Sequence, residues 1–427
     1  MILADDLGWA DLGHDGSKID TPNLDRLAKE GTKLTRFHSS APMCSPTRSA
    51  LLTGRYPHSV GVPELASPTA RGKVPVLELS HEAITIPEAL GPAGYRNVMV
   101  GKWHLGYNKR AWPRTHGFDE FWGSLIGTPT FWRPKETYHN ETAIEVPGYY
   151  TDLLTDKAIE YLKSTPQPGK PIFLYLAYNA PHYPLEAPPE LVGKYRRRLP
   201  NTGLFAIYAA MVEQLDTGIG RVLAALDELG MTRDTLVVFT SDNGPTAELT
   251  GYGPEGADIS NGPLREHKFS THEGGIRVPF LARWPGKIPA GKVRDELAVT
   301  MDLMPTFLEA AGVTAKHEMN GRSILPLLTG GAFQRPEAVH WEIQHNAAVI
   351  RGEWKLVHQF WRPRPFLYRW LEDTGENNDL AEKNPALVQE LMALHDQWKA
   401  RNYPNPVPRV TAHSAYLFPM AEKPAAR

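Results

Sequence analysis

Cysteine is almost absent: Cys44 stands alone in a chain of 427 residues, so no internal disulfide can form. Any apolar run of membrane-spanning length is missing too, which sets aside a membrane-embedded protein built from helices. Nor is there an excess of one charge, with 46 Lys and Arg against 48 Asp and Glu and a net charge of −2. That balance argues against a nucleic-acid binder relying on phosphate neutralisation, so any anion selectivity must be local. Internal repeats and long low-complexity tracts are also lacking. What is present is ordinary for a globular enzyme, 41% hydrophobic and 22% charged residues. The chain is too long for one ordinary core, so one large domain with a smaller one attached is expected.

Short apolar runs at 2–4, 97–100, 172–178 and 235–240 alternate with helical segments, the pattern of an α/β domain with a mainly parallel sheet. Residues 21–31 open on Thr21-Pro22, a capping residue with proline in the first helical position, and close on Gly31. Residues 204–229 carry apolar side chains at helical spacing and stop at Gly230, which predicts a long helix packed on the sheet. From about residue 335 the texture changes to strand-like runs at 347–350 and 354–358 and a helix at 385–401. The expectation is a large α/β domain over 1–334 and a small α+β domain over 335–427, ending in an irregular tail rich in Pro and Ala after Asn402.

Ligands of open parallel sheets bind beyond the carboxyl ends of the strands. Each run is followed there by a polar cluster: Asp5-Asp6, Gly101-Lys102-Trp103-His104, Asn179-Ala180-Pro181-His182 and Ser241-Asp242-Asn243-Gly244. Singly, each also reads as a turn or strand-end structure; together they mark one edge. Asp5, Asp6, Asp242 and Asn243 offer only hard oxygen donors, which select Ca²⁺ or Mg²⁺ over Zn²⁺. Ca²⁺ is preferred because it tolerates crowded carboxylates, whereas Mg²⁺ usually keeps several waters.

Taken alone, Cys44 is a buried small hydrophobe, a reactive thiol or a modification site. Its context is Cys44-Ser45-Pro46-Thr47-Arg48-Ser49-Ala50-Leu51-Leu52-Thr53-Gly54-Arg55. Pro46 suits a first helical turn, so Cys44 falls at or just before a helix N-terminus, where anions are stabilised. Arg48, about one turn on, can reach back with a charge-assisted fork. A thiolate nucleophile would favour the same setting.

The Cys-x-Pro-x-Arg string and the residues after it resemble the signature of type I, formylglycine-dependent sulfatases, which are arylsulfatase-like members of the alkaline phosphatase superfamily. Similar to the same family are Leu3-Ala4-Asp5-Asp6-Leu7-Gly8, Gly101-Lys102-Trp103-His104-Leu105-Gly106, Ala180-Pro181-His182, Thr240-Ser241-Asp242-Asn243-Gly244, and Lys268 ahead of Glu273-Gly274-Gly275-Ile276-Arg277. The match runs in order to about Gly330, with a weaker echo at 367–380. The resemblance implies an alkaline-phosphatase-like fold and hydrolysis of sulfate esters, with release of inorganic sulfate. It also implies conversion of Cys44 to formylglycine by a separate maturation enzyme. By motif, Asp5, Asp6, Asp242, Asn243 and residue 44 would bind the metal, Arg48 and Lys102 would hold residue 44 and the sulfate, and His104 would assist the second half-reaction. His182 and Lys268 would contact the sulfate and protonate the leaving oxygen. A hydrated aldehyde fits this chemistry: one geminal hydroxyl attacks sulfur and the other, once deprotonated, expels sulfate. The family's first strand usually has more apolar residues before Asp-Asp, so the start is read as clipped. A periplasmic or secreted location is expected if it is trimmed, and a cytoplasmic one otherwise.

For the substrate, an aryl sulfate and a sulfated sugar both remain open. Aromatic residues at 112–132 (Trp112, Phe118, Phe121, Trp122, Phe131, Trp132) and at 360–370 can stack on rings, although 118–122 reads better as core. Arg133, Arg362 and Arg364 could meet a second anionic group, or stand solvated. The rival readings are a phosphonate or phosphate diester hydrolase of the same superfamily, a silent sulfated-glycan binder that keeps the thiol, and, weaker, a cysteine hydrolase.

Overall fold

The computed structural model describes residues 1–70, 74–127, 129–165, 169–200, 202–247, 260–403 and 405–409. Among these, ten strands form one sheet in the spatial order Lys292–Arg294, Thr32–Leu34, Phe280–Arg283, Val237–Ser241, Ile2–Ala4, Ile172–Ala177, Arg96–Lys102, Glu120–Ser124, Thr137–His139, Thr142–Ile144. The five from Val237–Ser241 to Glu120–Ser124 run parallel. Phe280–Arg283 and Thr137–His139 pair antiparallel on either side of that block.

Parallel strands are covered on both faces, and here alternation divides them cleanly. Ile2, Ala4, Val98 and Val100 face a layer with Leu154, Ala158, Leu215, Ile219 and Val222, from the helices Tyr150–Lys163 and Phe205–Glu228. Leu3, Met99 and Val238 face the opposite layer with Leu51, Leu52, Met304 and Leu308, from Cys44–Thr53 and Leu303–Ala310. The long helix expected at 204–229 is therefore present, packed on the sheet.

The Arg96–Lys102 strand outruns the expected 97–100, because Gly101 continues it at φ +111. A Cβ there would stand 1.9 Å from the Ala177 carbonyl oxygen, so only glycine permits the neighbouring strand this close. Helix Pro22–Glu30 forms as expected, but Thr21 does not cap it through its side chain. Instead Asp216, on the long helix, accepts from Asn23 N (3.2 Å) and Leu24 N (2.7 Å). Gly31 ends the helix in an extended conformation, not a left-handed one.

A second sheet, antiparallel, has the order Val339–Glu342, Asn346–Arg351, Trp354–Gln359, Phe366–Tyr368. Helix Pro385–Asn402 packs on it through Leu391, which joins Val349, Leu356 and Leu367. Just after this helix the described residues form no helix or strand, as expected, although Tyr403 and Val407 pack with Val74 and Leu77. The rest of the expected tail, 410–427, lies outside the described residues. Among the described residues no helix is long and apolar enough to cross a membrane.

Candidate active site

The carboxyl ends of the parallel strands deliver the site. Ile2–Ala4 ends at Asp5-Asp6, Arg96–Lys102 carries Lys102 and leads to His104, Ile172–Ala177 leads to His182, and Val237–Ser241 leads to Asp242-Asn243. Cys44 is the first residue of Cys44–Thr53, a helix whose residues are all buried. Every expected site residue (Asp5, Asp6, Cys44, Arg48, Lys102, His104, His182, Asp242, Asn243 and Lys268) is buried. Two of them hold the backbone in the left-handed region without being glycine, Asp6 at φ 64 and His104 at φ 58. Such strain persists where surrounding contacts over-determine it, and it concentrates at functional sites.

Contacts join these residues into one cluster. Cys44 Sγ lies 3.4 Å from Asp5 Oδ1 and 3.3 Å from Lys268 Nζ. Lys102 Nζ donates to Asp5 Oδ2 (2.5 Å), and Lys268 Nζ donates to both oxygens of Asp6 (2.7 and 2.9 Å). Arg48 does not turn its fork on Cys44. Its Nε and one terminal nitrogen donate to Asp242 Oδ2 (2.9 and 2.7 Å), and the other donates to the Lys102 carbonyl (2.8 Å). Asn243 Nδ2 donates to Asp6 Oδ1 (2.6 Å), which leaves its buried Oδ1 without a partner among the described residues. His182 donates from Nδ1 to the Tyr183 carbonyl, so its Nε2 faces Asp6 Oδ2 at 3.4 Å. His104 Nδ1 is buried and unpartnered among the described residues, and Gly127 lies so close to the ring that a Cβ would be 2.8 Å away.

Charge is balanced inside the cluster: three aspartates face Arg48, Lys102 and Lys268. Burial opposes ionisation of Asp5 and Asp6, but Lys102 and Lys268 respectively, with His182, outweigh it and hold both carboxyls below the usual range. Burial alone would discharge Lys268; the Asp6 carboxylate, helped by Asp5 and Asp242, reverses that and keeps it protonated. Burial, with Lys102 and Arg48, drives His104 well below the ordinary histidine value, so it is neutral. Burial and the charge of Asp242 push the Cys44 thiol up, so it is a poor thiolate. Ligand-capable atoms of Asp5, Asp6, Cys44 and His182 lie within 4.8 Å of one another. With the orphaned Asn243 oxygen beside them, this oxygen-rich set fits a hard divalent cation.

The matching family model, Sulfatase, covers residues 1–313. The chain belongs to the sulfatase family. A second model of the family, described as N-sulphoglucosamine sulphohydrolase, C-terminal, covers residues 266–400. The sulfatase chain is 34% identical over 384 residues to the N-acetylgalactosamine-6-sulfatase of Canis lupus familiaris, spanning 84% of this chain and 71% of that protein. It is 32% identical over 460 residues to the steryl-sulfatase of Mus musculus, spanning 84% of this chain and 70% of that protein. The crystal structure of Ps i-CgsB in complex with k-i-k-neocarrahexaose superposes with a TM-score of 0.85 at 31% identity, covering 97% of this chain and 95% of that one. This sulfatase is accordingly a sulfuric ester hydrolase of the alkaline-phosphatase-like fold.

Two supports of the site were given no role by the sequence reading. Asp11 Oδ2 accepts from Gly8 N (2.7 Å), Ser260 Oγ (2.6 Å) and the Tyr208 hydroxyl, which also donates to the Asp6 carbonyl (3.2 Å). Behind the Lys268 segment, Lys355 Nζ bridges Glu273 Oε1 (2.7 Å) and Glu376 Oε1 (2.9 Å), while His38 and His272 meet the same two carboxylates (3.0 Å each). The aromatic expectation divides. Phe118, Phe121 and Trp122 are core, as are Trp112 and Phe131, whereas Trp132 is exposed. Arg364 is paired with Asp379 and Glu382 on the surface.

Proposed function

We propose that this sulfatase hydrolyses a sulfate ester on a carbohydrate, with residue 44 as formylglycine and Ca²⁺ at Asp5, Asp6, Asp242, Asn243 and residue 44. The observation that carries the reading is the placement of Cys44 at a buried helix N-terminus, in contact with both Asp5 and Lys268. The carbohydrate assignment rests on the relatives, one named for a sulfated N-acetylgalactosamine and one bound to a neocarrahexaose. Because burial leaves the thiol protonated, a cysteine hydrolase is disfavoured; the Cys44–Arg48 string and the family match are what support modification of Cys44 by a separate maturation enzyme.

Formylglycine would supply a hydrated aldehyde oxygen as nucleophile, and the divalent cation would supply neutralising charge at the sulfate. Everything else falls to the chain's own side chains. Arg48 and Lys102 fix Asp242 and Asp5 and present positive charge beside residue 44. Lys268, held protonated, meets the sulfate and delivers a proton to the leaving oxygen, and His182, its Nε2 turned inward, shares that role once this nitrogen carries a proton. Neutral His104, with a free ring nitrogen, is the acceptor for the proton that must leave residue 44 before sulfate is released. Since the three aspartates are already matched by three cations, adding a divalent cation leaves net positive charge for a sulfate anion. In this reading residues 1–334 are the catalytic unit and 335–427 the smaller one.

The test is ion chromatography of sulfate released from N-acetylgalactosamine 6-sulfate, sulfated galactan oligosaccharides and 4-nitrophenyl sulfate, beside an aryl phosphate diester. Preference for a sulfated saccharide supports the reading. Faster turnover of the phosphate diester would replace it with a diesterase.

A further inference from the structure

Beyond the sulfate-binding cluster, the structure carries an aromatic pair that none of the chemistry above uses. Trp132 is 45% exposed and Tyr183 is 52% exposed, and they are the only aromatics among the exposed large apolar side chains of the described residues. Single exposed apolar residues are commonplace and need no explanation. These two differ because of where the topology puts them. Glu120–Ser124 and Ile172–Ala177 lie on either side of Arg96–Lys102 in the sheet and run parallel to it. The segments leaving their carboxyl ends therefore flank the end of that strand, where Lys102 and then His104 stand, with Trp132 on one side and Tyr183 on the other.

Both segments touch the cluster itself. His104 N donates to the Leu125 carbonyl (3.2 Å), and Gly127 packs under the His104 ring. On the other side Tyr183 follows His182, whose Nδ1 donates to the Tyr183 carbonyl. The segments are also stitched to each other. Glu186 Oε2 accepts from Phe131 N (2.7 Å) and Trp132 N (3.3 Å), and the Tyr149 hydroxyl donates to the Glu186 carbonyl (2.8 Å). The Tyr149 ring in turn backs Trp132, with centroids 4.9 Å apart. An indole held from behind and open in front is a prepaid stacking surface, because little side-chain freedom remains to be lost on binding.

We propose that Trp132 and Tyr183 form a platform that stacks on the pyranose rings of the sulfated saccharide, next to the sulfate pocket. Sugar rings offer flat C–H faces that suit an aromatic face, whereas the sulfate itself needs the charged cluster behind. The platform rests on the carbohydrate reading above, and the two can fail separately. It makes these residues determinants of saccharide affinity, not of the chemistry at sulfur.

Steady-state kinetics of the full-length, matured enzyme test it. Trp132→Ala and Tyr183→Ala are each compared with the parent on a sulfated galactan oligosaccharide and on 4-nitrophenyl sulfate, with Trp132→Phe as the conservative variant. Both alanine variants keep the backbone groups that Glu186 and His182 use. The expected result is a KM for the oligosaccharide raised about tenfold with kcat nearly unchanged, largely restored by Trp132→Phe. On the aryl sulfate, kcat/KM should stay within about twofold of the parent, since its single small ring extends less far from the sulfate than an oligosaccharide does. An unchanged oligosaccharide KM, or an equal loss on both substrates, overturns the platform. A parent enzyme that turns over the aryl sulfate and no sulfated saccharide of any kind overturns the carbohydrate reading, and the platform with it, before any variant is assayed.

Discussion

Replacing Lys355 by methionine removes the one cation that lies between two fully buried carboxylates. Its ammonium is 2.7 Å from Glu273 and 2.9 Å from Glu376, and Glu273 N also donates to Glu376 Oε2 (2.8 Å). Without it, Glu273 keeps His38 and the more distant Arg277 (3.6 Å), and Glu376 keeps His272 and the Glu273 N–H. Breaking a buried pair by deleting one partner costs about 3–5 kcal/mol, because the other charge is left uncompensated. The pH dependence follows from the same geometry. Burial opposes the charge on Glu273, yet Lys355 and His38 outweigh it and hold the carboxyl well below its ordinary value; Glu376 is likewise held low, chiefly by Lys355. A depressed carboxyl contributes stability that is present above its unfolded value and is lost as pH falls through its folded value. Lys355→Met takes away the largest opposing charge, so the acids protonate at higher pH and acid unfolding moves upward. Urea denaturation followed by tryptophan fluorescence at pH 7 and pH 5 measures both effects, and adding Glu376→Gln should recover part of the loss. A loss below about 1 kcal/mol at pH 7, with an unmoved acid transition, would refute the reasoning.

Further outcomes concern the site and its surroundings. Cys44→Ala should leave the denaturation midpoint near that of the parent and lower kcat on any sulfate ester by at least about a thousandfold; measurable turnover near the parent value would remove residue 44 from the chemistry. Exhaustive chelation should lower activity and Ca²⁺ should restore it better than Mg²⁺, while Asp242→Ala should resist restoration by either ion; full activity after chelation would contradict the oxygen-ligand assignment. Among the described residues Glu64 receives only the Gln344 N–H (2.7 Å), and burial pushes its carboxyl up to about 8. A raised carboxyl contributes stability that is fully present below its unfolded value and is lost as pH rises through its folded one. Glu64→Gln should therefore flatten the fall in urea midpoint between about pH 5 and 8, and an unchanged slope would count against the buried acid.

Much of the site was legible because its parts sit in short strings. Asp5-Asp6, Lys102-x-His104, His182 and Asp242-Asn243 each follow an apolar run, and the structure brings every one of them to the same edge beside Cys44. Local rules also found the helices Pro22–Glu30 and Phe205–Glu228 to within a residue or so. They failed where a distant partner decides. Thr21 yields its capping role to Asp216, and Arg48 turns away from Cys44 because Asp242, 194 positions on, offers a carboxylate. Likewise Asp11 and Tyr208 are 197 positions apart, so no spacing could show that they brace the Asp6 turn. The two strands at one end of the sheet were also unreadable, since Thr32–Leu34 and Lys292–Arg294 are three residues each and carry no period.

The central claim is that residue 44 is the modified nucleophile of a sulfatase. Mass spectrometry of the peptide spanning Cys44, from protein that releases sulfate from an aryl sulfate, tests it most directly. The expected result is the mass of an aldehyde, formylglycine, in place of the thiol, with activity rising in proportion to the modified fraction. An intact thiol in protein that turns over sulfate esters, after production beside a competent maturation enzyme, would contradict it.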